Sequence, residues 1–394
     1  MDSIFFYRNL ENPASSPGAL QGLKVAIQPN ISVAGWPTDA GSQALADFNA
    51  LEDAATVEKL SQEGATLVGS TRMSEFGFGL ENSMAGNALQ KKAADVELVL
   101  DLAGESRLAA ARAGVCGFKP SYGLISRFGL VGLIPSMEAC GILSADIKAI
   151  REILQTVAGP DERDFSLPDK KMPDFSTPAI EPKKTTLGIV REVLDEMPSE
   201  IRKEFDKHIE ELKKAGFSIK ELPFPDFSNF LLAHQIIGSV EASSCAGRYD
   251  SVRYGKRAPG AKNWNEMYLS SRGAAFGTLL KSYLIQGAYF QFESYDAYEN
   301  ACRLRAHLVS GMQKLAQQAD FLIFPTANNA AEENPATLSK TYAQFIYTAF
   351  ANVTGQPALH LPHKSGTGWQ LTTARLGDGR LLALGEYFLN RGGR

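Results

Sequence analysis

Apolar positions in this chain fall into short runs and helical stripes that alternate for most of its length. Lys24–Ile27 ends in Val25, Ala26 and Ile27, a run suited to a buried strand. From Asp53 to Gly64, Ala54, Val57 and Leu60 share one helical face and Gly64 is the stop; residues 65–69 then return as a strand. Strand, helix and strand in that order predict a parallel sheet with helical crossovers. Residues 97–100 read as a strand, 108–113 as an alanine-rich helical turn, and 146–157 as a helix with Ile147, Ile150 and Leu154 on one side. Pro, Asp and Lys then dominate from Gly159 to Thr186. That composition predicts a surface linker, with a candidate internal boundary near 160–186 in a single domain of residues 1–394.

The second half repeats the pattern. Residues 187–190 and 218–222 read as strands on either side of a helix over 199–215, whose Ile201, Phe205, Ile209 and Leu212 recur at helical spacing. Residues 227–246 and 273–312 read as long helical stretches. Strands are expected over 319–325, 357–362 and 368–371, and a terminal helix over 376–388, interrupted at Gly379. The class is α/β, with no internal repeat and no coiled coil.

Composition narrows the function. The chain has 394 residues, 44% hydrophobic and 21% charged, with a net charge of -4. That balance argues against nucleic acid as a main partner. No apolar stretch approaches the roughly 18 residues of a membrane span. Cys116, Cys140, Cys245 and Cys302 are far apart and are expected to be reduced thiols in or near the core. The opening residues 1–8 carry no basic segment followed by an apolar one, so a cytoplasmic location is expected.

An ordered series of motifs carries more information than any of these. Gly35-Trp36-Pro37-Thr38-Asp39-Ala40-Gly41-Ser42 is followed by Met73-Ser74-Glu75-Phe76-Gly77-Phe78-Gly79 and Glu81-Asn82-Ser83. The glycine-spaced run Ala113-Gly114-Val115-Cys116-Gly117-Phe118-Lys119-Pro120 extends to Val131. Glu241-Ala242-Ser243-Ser244, Arg248-Tyr249-Asp250, Phe324-Pro325-Thr326 and Asn352-Val353-Thr354-Gly355-Gln356-Pro357 follow in order. From about Gly22 onward this series resembles the amidase signature family. The resemblance implies a central mixed sheet flanked by helices, here trimmed at the N-terminus and at one Gly/Ser-rich loop.

The resemblance also implies a Ser–cis-Ser–Lys triad: a lysine in V-K-D, a serine in G-G-S-S-G-G-S and a nucleophile in D-T-G-G-S-I-R. A serine hydroxyl is a poor nucleophile until such a relay takes its proton. Here the first motif reads Ile27-Gln28-Pro29-Asn30, with an amide where the amine belongs. The segment between Asn87 and Asp101 is too short for the Gly/Ser-rich loop and its helix. The third motif reads Asp101-Leu102-Ala103-Gly104-Glu105-Ser106-Arg107, and counting back from Gly114 and Gly117 puts Glu105 on the nucleophile position. A register error of one would put Ser106 there.

Glu105 and Ser106 are therefore the candidate catalytic residues, with Glu105 as general acid or base; the plainer reading is a solvated glutamate on a collapsed site. Gln28 and Asn30 are candidate ligand contacts or strand-end surface groups. Arg107 and Arg272 are candidates to meet a ligand carboxylate, while Phe345 falls where the tRNA-dependent relatives hold an aspartate. Lys91 and Lys92 read as solvated. His360 and His363, three apart on or after a strand, do not share a face, so no metal pair is expected from them, and no cofactor is expected either. The leading expectation is a noncatalytic amidase-fold protein that binds a small molecule, with a carboxylate among its candidate groups, or a partner subunit or second copy. The competing one is altered chemistry, such as a lyase, cyclase or non-serine C–N hydrolase reaction, at Glu105 and Ser106.

Overall fold

The computed structural model describes residues 4–10, 17–167, 172–327, 337–363 and 368–392. Its strands are β1 (Phe5–Arg8), β2 (Lys24–Ile27), β3 (Thr66–Thr71), β4 (Val96–Asp101), β5 (Cys116–Lys119), β6 (Ala139–Ser144), β7 (Thr186–Val190), β8 (Ser218–Leu222), β9 (Phe321–Pro325), β10 (Ala358–Leu361) and β11 (Trp369–Thr372). Among the described residues they form one 11-stranded sheet in the order β1-β3-β2-β4-β6-β5-β10-β11-β9-β7-β8. The helices are α1 (Ala55–Gln62), α2 (Asn87–Gln90), α3 (Glu105–Ala113), α4 (Ile147–Val157), α5 (Arg191–Asp195), α6 (Ser199–Lys214) and α7 (Asn229–Ala246). After them come α8 (Trp264–Ala275), α9 (Thr278–Phe292), α10 (Tyr295–Ala316), α11 (Leu338–Ala343), α12 (Ala349–Thr354) and α13 (Asp378–Gly392).

The sheet is mixed. β2 runs parallel to β3 and β4, and β7 runs parallel to β8 and β9, as the two strand–helix–strand patterns predict. Between these two ends the pairings of β4, β6, β5, β10, β11 and β9 are all antiparallel. Both faces are covered. Val96, Leu98 and Leu100 of β4 join one apolar cluster while Val99 joins the other, so this strand is buried on both faces, with Glu97 and Asp101 beside Val99. α4 starts where the Asp146 carboxylate accepts the Lys148 N–H at 2.9 Å, and it buries Ile147, Ile150, Ile153 and Leu154. α6 buries Ile201, Phe205, Ile209 and Leu212, the stripe read from the sequence.

Several expectations are corrected. β1, β5 and β6 were not anticipated; the last two are short, wholly buried and lack the polar alternation that marks a half-exposed strand. The stretch 273–312 takes in the end of α8, α9 and α10, broken at Phe276 and Gly277 and again at Glu293 and Ser294. Gly379 does not interrupt the last helix, because α13 begins at Asp378 and the glycine lies in its first turn. Cys116 and Cys140 are buried, but Cys302 is exposed. The expected linker is pinned at its start by Arg163, which pairs with Glu58 at 2.7 Å and Asp161 at 3.0 Å; residues 168–171 of it lie outside the described ones. One sheet draws strands from both sides of that segment. No helix among the described residues is long and apolar enough to cross a membrane.

Candidate functional site

Ligands of open α/β sheets gather beyond the carboxyl ends of parallel strands. Here β2, β3 and β4 end together, and α3 begins within four residues of Asp101. The turn between them needs glycine at Gly104, whose φ is 132° and whose added Cβ would stand 2.2 Å from Thr348 Oγ1. α3 starts earlier than the sequence suggests, at Glu105, because its first turn is polar in composition yet buried.

Glu105 turns its carboxyl group back onto that turn. Its Oε2 accepts the backbone N–H of Leu102 at 2.8 Å, Ala103 at 2.8 Å and Gly104 at 3.1 Å, and its Oε1 accepts the N–H of Gly79 at 3.2 Å. Amides converging at a helix start form an anion-binding nest. In acyl transfer, donors of this kind hold the developing oxyanion. In this chain the nest is filled by a side chain of the protein itself. Glu105 is 3% exposed, which overturns the reading of it as a solvated glutamate. Burial first and the Asp101 charge second push its pKa up, while the backbone amides pull the other way.

Ser106 and Arg107 face inward as well. Ser106 Oγ donates to Asp101 Oδ2, and a Cβ added to Gly141 of β6 would lie 2.4 Å from the serine Cβ, so this hydroxyl lies against the sheet. Arg107 Nη1 donates to Thr348 O at 3.0 Å and Gln370 Oε1 at 2.9 Å, and its Nη2 donates to Asn352 Oδ1 at 2.8 Å and lies 3.6 Å from Asp101 Oδ1. Asn352 Nδ2 returns to Asp101 Oδ1 at 2.7 Å. This network ties α3 and β4 to α12 and β11 in the buried interior.

Aromatic side chains close the space around the nest. Phe78 stacks on Tyr283 with centroids 4.4 Å apart, and the Tyr342 hydroxyl donates to that of Tyr283 at 2.8 Å. His234 meets Leu102 O at 2.8 Å and is kept neutral by burial, its pKa pulled down to about 4. Phe345 is completely buried.

The remaining candidates are dispersed. Gln28 is not a surface group: it is buried, and its Oε1 accepts the Leu100 N–H at 2.8 Å, prolonging the β2–β4 ladder. Asn30, also buried, donates from Nδ2 to Val131 O at 3.4 Å. Arg272 caps the end of α7 through Ala246 O at 2.7 Å and lies over the Phe276 ring. It shares no hydrogen-bond partner with Arg107. His360 and His363 part company, as their spacing implies. His360 Nδ1 meets Thr326 Oγ1 at 2.7 Å, and His363 packs on His208 with centroids 3.8 Å apart.

Two further features stand apart from these candidates. Lys119 is 1% exposed, donates to Pro120 O at 2.7 Å, and is pulled down to about 7 chiefly by burial. Beyond the end of β3 a cleft of about 550 Å³ is lined by Met73, Glu75, Phe78, Glu81, Gly277 and Leu280. Glu75 Oε1 accepts from Ser42 Oγ at 2.6 Å and its Oε2 accepts the Gly277 N–H at 2.9 Å, which joins the Gly35–Ser42 and Met73–Gly79 motifs in space.

Residues 8–89 and 93–382 match the profile of the family described as Amidase. The chain belongs to the amidase family. The two matched segments part at residues 90–92, in the turn between α2 and β4. Among family members, the chain is 33% identical over 403 residues to the glutamyl-tRNA(Gln) amidotransferase A subunit of Natronomonas pharaonis, covering 94% of this chain and 95% of that one. With the protein of the same name from Lactobacillus gasseri it shares 31% identity over 409 residues, 96% of this chain and 85% of the other. The crystal structure of the corresponding Thermotoga maritima protein superimposes with a TM-score of 0.79 at 20% identity, over 97% of this chain and 86% of that one. The peptide amidase of Stenotrophomonas maltophilia gives a TM-score of 0.74 at 20% identity, over 95% and 84%.

Proposed function

We propose that this chain is a noncatalytic member of the amidase family, a pseudo-amidase that acts by holding a partner subunit rather than by cleaving an amide. The observation that carries this reading is the Glu105 carboxyl group seated on the amides of Leu102, Ala103 and Gly104, where a reacting carbonyl oxygen would need to bind. The sequence at the triad positions supports it: Gln28 offers an amide in place of an amine, residues 87–101 read as too short for the Gly/Ser-rich loop, and Ser106 is turned against β6. A partner role draws support from α9, whose Ile285, Tyr289 and Phe292 are 70%, 55% and 74% exposed and recur on one stripe. Relatives of the chain carry the name of a subunit. Arg107 and Arg272 are engaged with protein oxygens, so the proposal gives a ligand carboxylate no seat on them.

The test is turnover of glutamine and a panel of simple carboxamides by the purified protein. No product above the blank is expected. Hydrolysis by the wild type that disappears in S106A or E105Q would overturn the proposal. Altered chemistry at Glu105 and Ser106 is the second reading, favoured by a buried acid pushed up and a buried amine, Lys119, pulled down around the same Asp101. A metabolite turned over by the wild type, bound but not converted by E105Q, would select it.

A further inference from the structure

Away from the nest, side chains from two segments distant in sequence meet in one cluster. His208 and Glu211 stand one turn apart on α6, and His363 follows the end of β10. We propose that His208, Glu211 and His363 form a binding site for one divalent transition-metal cation of the Zn2+ class, which would staple α6 to the end of β10. The candidate ligand atoms all lie within 4.8 Å of one another. His208 Nδ1 is 3.7 Å from Glu211 Oε2, near the edge of about 3.3 Å expected between ligands of a tetrahedral zinc ion with bonds of ~2.0–2.1 Å.

Independent observations point the same way. His208 is 5% exposed, and its Nδ1 is the ring nitrogen that faces the Glu211 carboxylate. Its two neighbours at the ring edge are a second imidazole and a carboxylate, the donor set of two nitrogens and one oxygen that suits zinc. Glu211 is exposed, so solvent reaches the site and a water can complete the coordination.

The experiment is equilibrium binding of Zn2+ to chelator-treated full-length protein, followed by calorimetry, with Co2+ absorption as a spectroscopic readout of geometry. One equivalent is expected to bind at micromolar or tighter affinity, to give the intense visible bands of tetrahedral Co2+ and to raise the melting temperature. H363A and E211Q, both at the accessible side, should keep the wild-type circular dichroism and weaken Zn2+ binding by at least about tenfold each. Absence of Zn2+ binding by the wild type, binding undiminished in H363A, or equal binding of Mg2+ would each overturn the assignment.

Discussion

The two polar regions at the ends of β2, β3 and β4 are built from similar residues and behave differently. In the nest, Asp101, Glu105, Ser106 and Arg107 are all at most 3% exposed, and each is engaged by another group of the protein. In the neighbouring cleft, Glu75 is only partly buried and lines an opening of about 550 Å³. Buried polar groups joined into a network specify the fold, and here Arg107 Nε alone of that guanidinium's nitrogens is left without a hydrogen-bond partner. Groups at an open wall keep part of their hydrogen-bonding capacity for a visitor. On the noncatalytic reading, the former reaction centre of this family has become scaffold here, and recognition would fall to the surface around it.

The comparison can be broken most easily at Arg107. R107M keeps the length of the side chain but leaves Asp101, Asn352 and Gln370 without their donor, and should cost about 3–5 kcal/mol in urea unfolding. A loss under about 1 kcal/mol would show that the network is not joined as described. Next in size, G104A forces a side chain into a left-handed turn and against Thr348, for about 2–4 kcal/mol. Adding T348A should return the part due to contact and leave the part due to φ.

A pH series sharpens the same contrast. Glu97 is fully buried, accepts from Thr71 Oγ1 at 2.6 Å and the Gly86 N–H at 2.7 Å, and burial raises its pKa to about 7. Because the folded value lies above the unfolded one, its stabilising contribution is complete below about pH 4.5 and is lost as pH rises towards 7. Relative to E97Q, the wild type should lose about 2–3 kcal/mol between those limits, measured by denaturant unfolding at each pH. At the open cleft the effect is smallest: E75A should change stability by about 0.5–1.5 kcal/mol, since water can replace what it removes.

Much of the sheet was legible in the sequence, because β2, β3, β4, β7 and β9 are apolar runs bounded by turn signals and α4 and α6 carry clean stripes. β5 and β6 were not, since Cys116-Gly117-Phe118-Lys119 has no alternation and owes its strand form to pairing with β6 and β10. The position of Glu105 could be read only through the family resemblance. That its carboxyl group returns to its own turn depends on the φ of Gly104 and the closeness of Gly79, which no spacing rule contains. The meeting of His208 with His363 was equally hidden, because spacing along one strand says nothing of a histidine that another element brings across the fold.

Amide hydrogen exchange at Leu102, Ala103 and Gly104, compared between wild type and E105A, tests the filled nest most directly. Strong protection in the wild type should fall at these three positions in E105A while Leu98 and Leu100 of β4 stay protected. Equal exchange at all three in both proteins would mean that Glu105 does not occupy the nest, and the noncatalytic reading would lose its foundation.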